Sequence, residues 1–325
     1  MKLLVTGGAG YIGSVVAKQL LNDGHEVLVF DNLERGHRAA VPAPARLVVG
    51  DLLDESTLDA ALAEGFDAVL HFAALALVGE SVAHPERYSR NNVLGTLNLL
   101  EAMVNAGVGH LVFSSTCAVY GEPDELPISE SAPTRPSSPY GSSKLAVDRM
   151  IGDFCQAHGL GAVSLRYFNV AGASGGLGED HDPETHLIPN ILRVALKHKP
   201  FVEIFGTDYA TPDGTAIRDY IHIEDLSTAH LLALEGSSPG EHTIFNLGNG
   251  SGFSVREVIA AAENVTGIAI PTREAPRRRG DPPILIAGSD KIRSFLGWAP
   301  TKEDLSEIVA DAWSFAQARP KGYSQ

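Results

Sequence analysis

Cysteine is scarce. The 325 residues hold 2, Cys117 and Cys155, too few for a disulfide framework, and each lies in an apolar stretch where a buried free thiol is the expected state. That usage fits a reducing compartment. Cationic charge is short as well: 25 Lys and Arg stand against 40 Asp and Glu, a formal −15. Such a field repels phosphate backbones and anionic lipid, so neither nucleic acid nor a membrane is expected as a partner. Long apolar runs are missing. Met1–Val5 breaks at Gly7-Gly8, too soon for a signal-peptide core, and no later stretch reaches the length of a membrane span. A cytoplasmic location is the expectation. The remaining composition, 44% hydrophobic and 20% charged, is globular and excludes disorder, collagen-like repeats and coiled coil.

Short aliphatic runs at residues 3–6, 27–30, 47–49, 68–72 and 111–113 alternate with amphipathic stretches such as 12–21, the pattern of βαβ units. Runs apolar on both faces predict a parallel sheet covered by helices on each side. The expected fold is a doubly wound α/β domain over 1–171, regained at about 217–247. Segments 172–216 and 248–325, rich in Gly, Asp, Pro and His with helices between, predict a smaller α/β lobe. A Ser254-x-x-Glu257 capping box opens one of its helices, and a last helix is expected from near Thr301 to about Ala318.

The first run leads into Thr6-Gly7-Gly8-Ala9-Gly10-Tyr11-Ile12-Gly13 and then a helical pattern. Glycines at 7, 10 and 13 allow a tight turn, close approach to a pyrophosphate and close helix–strand packing, with the helix N-terminus facing the anion. Asp31 ends the second strand, where a carboxylate accepts both hydroxyls of an adenosine ribose and repels a 2′-phosphate. NAD is therefore expected over NADP, although Arg35 and Arg38 stand nearby. Asp51, after the third strand, reads equally as an adenine contact or a strand-end cap.

Tyr140 and Lys144 are four residues apart, one face of a helix. A phenol with a pKa near 10 is a poor base at neutrality, and an adjacent ammonium favours the phenolate. Thr116 ends the strand before them, at the sheet edge where open α/β sheets bind ligands, placed to bridge a substrate hydroxyl and the phenol. No metal is expected.

These stretches, with His71-Phe72-Ala73-Ala74, Val78-Gly79-Glu80-Ser81, Asn91-Asn92-Val93-Leu94-Gly95-Thr96, Leu165-Arg166-Tyr167-Phe168-Asn169, Asp213-Gly214-Thr215 and Arg218-Asp219-Tyr220-Ile221-His222, span nearly the whole chain. It resembles the extended short-chain dehydrogenase/reductase superfamily and, within it, the UDP-hexose 4-epimerases. The resemblance implies that Tyr140 takes the proton of the sugar 4-hydroxyl while C4 gives hydride to NAD⁺. The keto sugar then turns and hydride returns to its other face, interconverting UDP-galactose and UDP-glucose.

It also implies a tightly held NAD, contacted by Gly7, Gly10, Tyr11, Ile12, Gly13, Asp31 and Asn32 from the first two strands. Asp51, Leu52, Phe72, Ala73, Ala74 and Asn92 would follow, then Ser114, Tyr140, Lys144 and Phe168. The UDP-sugar would meet Thr116, Tyr140, Asn169, His186, Leu187 and the backbone at Glu203, Ile204 and Phe205, with Arg218, Arg278 and Asp281 clamping diphosphate and ribose. Arg278 lies in the basic run Arg277-Arg278-Arg279, for which a solvated turn is the alternative.

Ala76 stands where some relatives carry a lysine near the cofactor. Leu285 lies where side-chain size sets room at the sugar C2 group, leaving N-acetylhexosamine and pentose sugars open as alternatives. A 4,6-dehydratase needs an acid and a base after the strand-end threonine, and Thr116-Cys117-Ala118 supplies neither. A plain dehydrogenase and a non-catalytic NAD sensor are the further readings. The family implies a homodimer through helices near 92–105 and 142–158.

Overall fold

The computed structural model describes residues 1–278 and 280–323; Arg279 lies outside the described residues. In the first half, strands β1 (Lys2–Thr6), β2 (Glu26–Asp31), β3 (Arg46–Val49), β4 (Ala68–His71), β5 (His110–Thr116) and β6 (Gly161–Tyr167) alternate with helices. These are α1 (Tyr11–Asn22), α2 (Glu55–Leu62), α3 (Val78–Ala83), α4 (Pro85–Tyr88), α5 (Gly95–Ala106) and α6 (Pro139–His158), with a π-helical turn at Ser89–Leu94 before α5. The second half runs β7 (Asn169–Ala171), the hairpin β8 (Ala173–Ser174) and β9 (Leu177–Gly178), α7 (Leu187–Ala195), β10 (Val202–Phe205), β11 (Ile217–His222), α8 (Ile223–Glu235) and β12 (His242–Leu247). It ends with β13 (Gly252–Ser254), α9 (Val255–Thr266), β14 (Thr272–Ala275), β15 (Ile284–Leu285), α10 (Asp290–Leu296) and α11 (Leu305–Ala318).

Seven strands form one parallel sheet in the order β12-β6-β5-β4-β1-β2-β3, the doubly wound α/β fold expected from the alternating runs. The period of two along β1 decides its two cores. Leu3 and Val5 pack with Val15, Val16 and Leu20 of α1 and with α8, while Leu4 points to the opposite face among residues of α2, α5 and α6. Strand order reverses between β1 and β4, so a crevice opens at their carboxyl ends, where ligands of such sheets bind.

A third core joins α7, α9 and α11 with β10 and β11, including Ile188, Ile191, Ile204, Val258 and Ile308. β11 pairs with β7, β13 and β15 rather than within the large sheet, while its Ile221 joins α8 in the first core and β12 adds the sheet's outer strand. The capping box at Ser254 and Glu257 forms as expected. The last helix starts later than Thr301: Asp304 caps it through Ser306 and Glu307, while the Thr301 N–H donates to Asp225 at 2.8 Å. Among the described residues no helix is long and apolar enough to cross a membrane.

Candidate active site

The glycine loop joins β1 to α1 with backbone almost touching backbone. Gly7 has φ +71°, and a Cβ there would lie 2.5 Å from the amide nitrogen of Ala73; one on Gly13 would lie 2.4 Å from the Gly7 carbonyl. No side chain caps α1 at Gly10, so the first N–H groups of the helix are available to an anion. This cradle fits a dinucleotide pyrophosphate. Tyr11 anchors the start of the helix by donating its hydroxyl to the Gly172 carbonyl at 2.7 Å, and Ile12 packs on the core beneath.

At the end of β2 the Asp31 carboxylate accepts the N–H groups of Ala9 (3.0 Å) and Leu33 (2.8 Å), and burial pushes its pKa up. It is thus held against the loop where a ribose would lie. Beside it Asn32 donates to Asp51 at 2.8 Å, and the Leu52 carbonyl accepts from Asn98 at 2.9 Å. Arg35, one of the two nearby cations a 2′-phosphate could use, is paired with Glu80 at 3.3 Å and bonded to the Asp182 carbonyl.

After β4, Phe72 packs against the His230 ring, centroids 4.9 Å apart, and Ala73 and Ala74 carry the chain over the glycine loop, both half-buried. Asn92 sits in the π-helical turn, a local distortion often found at functional sites. Its amide donates to the Leu75 carbonyl and the Ser143 hydroxyl, both at 3.0 Å, tying this wall to the catalytic helix.

Ser138 caps that helix, α6, at the Gly141 N–H, setting Tyr140 and Lys144 in its first turns. Lys144 Nζ donates to the Ser114 carbonyl at 2.8 Å and lies 4.7 Å from the centre of the Phe113 ring. Burial lowers its pKa to about 7. Thr116 accepts the Ala118 N–H at 3.1 Å, which leaves its own hydrogen for the nearby Tyr140 phenol, whose charged form it favours. Burial nevertheless raises that phenol to about 12. The Ser114 hydroxyl bonds Tyr167, and Phe168 packs in a small apolar cluster with Val119 and Leu145.

The expected nucleotide residues gather on the second lobe. Asn169 donates to the Asp219 carbonyl at 3.1 Å. Asp219 in turn accepts N–H groups of Asn249, Gly250 and Ala287 at 2.8–3.0 Å, fixing the strand that carries Leu285 opposite Arg218. Arg218 is ion-paired to Asp281 and donates to the Pro282 carbonyl at 2.8 Å. The Arg278 guanidinium stacks 4.1 Å from the Phe205 ring, while Ile204 is buried and Glu203 is paired with Arg273. The backbone at 203 and 204 lies in register with Arg273 and Glu274 of β14, which takes one edge of β10.

Leu187, the first residue of α7, packs at the margin of the third core. His186, expected at the substrate, has its Nδ1 2.5 Å from Glu179 and 3.4 Å from Glu184. With His181 these residues form a cluster that sequence reading missed. The signal present was the spacing Glu179-x-His181-x-x-Glu184-x-His186.

The sequence model of the NAD-dependent epimerase/dehydratase family matches residues 3–248. The chain belongs to this family. A UDP-glucose 4-epimerase of Streptomyces lividans is 56% identical over 324 residues, 99% of this chain and 98% of that one. The NAD-dependent epimerase fold seen here superposes on a crystal structure of a UDP-glucose 4-epimerase at TM-score 0.96, with 47% identity and full coverage of both chains. A Bifidobacterium longum UDP-glucose 4-epimerase, solved with NAD⁺ and UDP, gives 0.95 at 38% identity, covering 99% of this chain and all of that one. Membership makes NAD the cofactor, in keeping with the cradle and Asp31.

Proposed function

We propose that the protein interconverts UDP-galactose and UDP-glucose by reversible oxidation at C4 of the hexose. The observation that carries this reading is the Thr116–Tyr140–Lys144 arrangement at the carboxyl end of β5, on the same sheet edge as the glycine cradle. Bound NAD⁺ supplies a two-electron acceptor and returns the pair, so no net redox change occurs. Tyr140 takes the proton of the 4-hydroxyl and gives it back. Thr116 donates to the phenolate as it forms, and the Lys144 charge favours it.

In this reading residues 1–171 with about 217–247 bind the dinucleotide, and 172–216 with 248–325 bind the nucleotide half of the substrate. The cofactor contacts are Gly7, Gly10, Gly13, Asp31, Asn32, Asp51, Phe72, Asn92 and Ser114. Arg218 and Arg278 face the diphosphate, each already oriented by Asp281 or Phe205. Asn169, Leu187 and the backbone near Phe205 complete that side. The enzyme acts in the cytoplasm as a homodimer.

NMR of the purified protein with UDP-galactose and no added NAD tests this directly. UDP-glucose is expected to appear without accumulating NADH, and Tyr140→Phe is expected to retain NAD yet lose about 10²–10⁴-fold in kcat. Parallel samples of UDP-N-acetylgalactosamine and UDP-xylose read what Leu285 admits. No epimer from any of the three sugars, even with NAD supplied, overturns the reading.

A further inference from the structure

Between β9 and α7 the chain folds Glu179, His181, Glu184 and His186 around one point: a ligand atom of each lies within 4.8 Å of the others. His181 Nδ1 is 3.0 Å from Glu179 and 3.9 Å from Glu184, and His186 Nδ1 is 2.5 Å and 3.4 Å from the same two carboxylates. The Glu184 side chain is fully enclosed, and its Oε2 has no hydrogen-bond partner among the described residues. An orphaned carboxylate oxygen in such a place costs free energy unless something positive meets it.

We propose that these four side chains form a structural site for a divalent transition metal of the zinc type. Two carboxylates need two positive charges, which one divalent ion supplies with both imidazoles neutral. Protonated histidines would balance the charge too, but they leave Glu184 Oε2 without a donor in reach. Two nitrogens and two oxygens suit zinc, whereas magnesium and calcium prefer oxygen alone. Tetrahedral zinc keeps its ligand atoms about 3.4 Å apart; the four histidine–carboxylate pairs here stand 2.5–3.9 Å apart, in a cluster whose ligand atoms all fall within 4.8 Å. All four positions come from the protein, so no place remains for a reacting water: the ion braces rather than catalyses.

What it braces follows from the loop's other bonds. The Asp180 carbonyl meets His37 at 2.9 Å, Asp180 Oδ2 accepts the Tyr323 N–H at 2.7 Å, and Arg193 of α7 donates to the His181 carbonyl at 3.0 Å. One ion would thus lock the loop that joins the segment after β2, the chain end and the start of α7.

Zinc content and zinc titration of the untagged, dialysed protein test the proposal. The expected result is about one tight zinc per chain and a raised melting temperature on binding. Glu184→Gln and His186→Asn should each weaken binding by more than the roughly tenfold to hundredfold that losing a supporting hydrogen bond costs a metal site, while Asp182→Asn leaves it unchanged. Cobalt(II) loaded into the wild-type protein should show the visible absorption of a tetrahedral site, a readout that holds even where a variant fails to fold. Failure to take up zinc at micromolar concentration, uptake that survives both ligand variants, or octahedral-type cobalt absorption overturns it.

Discussion

Burial works against both members of the proposed catalytic pair, pushing the Tyr140 phenol up to about 12 and the Lys144 ammonium down to about 7. In the proposed reaction the phenolate is the base, so a charge beside it would bring turnover into the neutral range. Lys144→Met removes that charge. Its residual kcat should then climb about tenfold per pH unit between pH 6 and 9, following the phenolate fraction below its pKa. The wild-type rate should climb less steeply, because rising pH also strips the proton from Lys144 and withdraws its support. Parallel profiles of the two proteins would remove Lys144 from the acid–base step. These residues were legible because spacing alone puts them together, i and i+4 on a helix beside a strand end. The carboxylate neighbours of His186 were not: a histidine's chemistry says what it can bind, while the loop from Glu179 decides what stands beside it.

At the scale of an element, the β1–loop–α1 unit depends on contacts that tolerate no added atom. A Cβ on Gly13 would meet the Gly7 carbonyl at 2.4 Å, and backbone cannot rotate away; one on Gly10 would meet the same oxygen at 3.3 Å and needs only a small shift. Gly13→Ala should therefore cost about 1–3 kcal/mol and most of the NAD affinity, with Gly10→Ala milder in both. Thermal melting and NAD titration of the pair decide it, and the reverse order would refute the geometric argument. Glycine spacing announced this unit in the sequence. The π-helical turn at Ser89–Leu94 had no such signature, since its single wide turn leaves helical periodicity nearly intact. Likewise Thr301 read as a helix cap because its type fits, but Asp225 takes its N–H and the start passes to Asp304.

For the whole molecule, alternating apolar runs disclosed a doubly wound sheet, but not which sheet would take Ile217–His222. That strand reads as β in either place, and pairing with β7, β13 and β15 decides it. The sheet's outer face poses the last question, because α5 and α6 lie side by side there without full cover. Leu94 is 45% exposed, and Leu97, one turn on, is half-buried; Ala146 of α6 is exposed and Met150, a turn further on, half-buried. Exposed apolar side chains grouped in this way suit a protein contact, and a two-fold dimer would place each strip against its copy. Light scattering should give twice the chain mass of 34.4 kDa at micromolar concentration. Leu94→Glu enters such an interface twice, setting two carboxylates against each other in a desolvated seam, so it should yield monomer that still binds NAD. A wild-type monomer, or a variant that stays dimeric, would place the contact elsewhere.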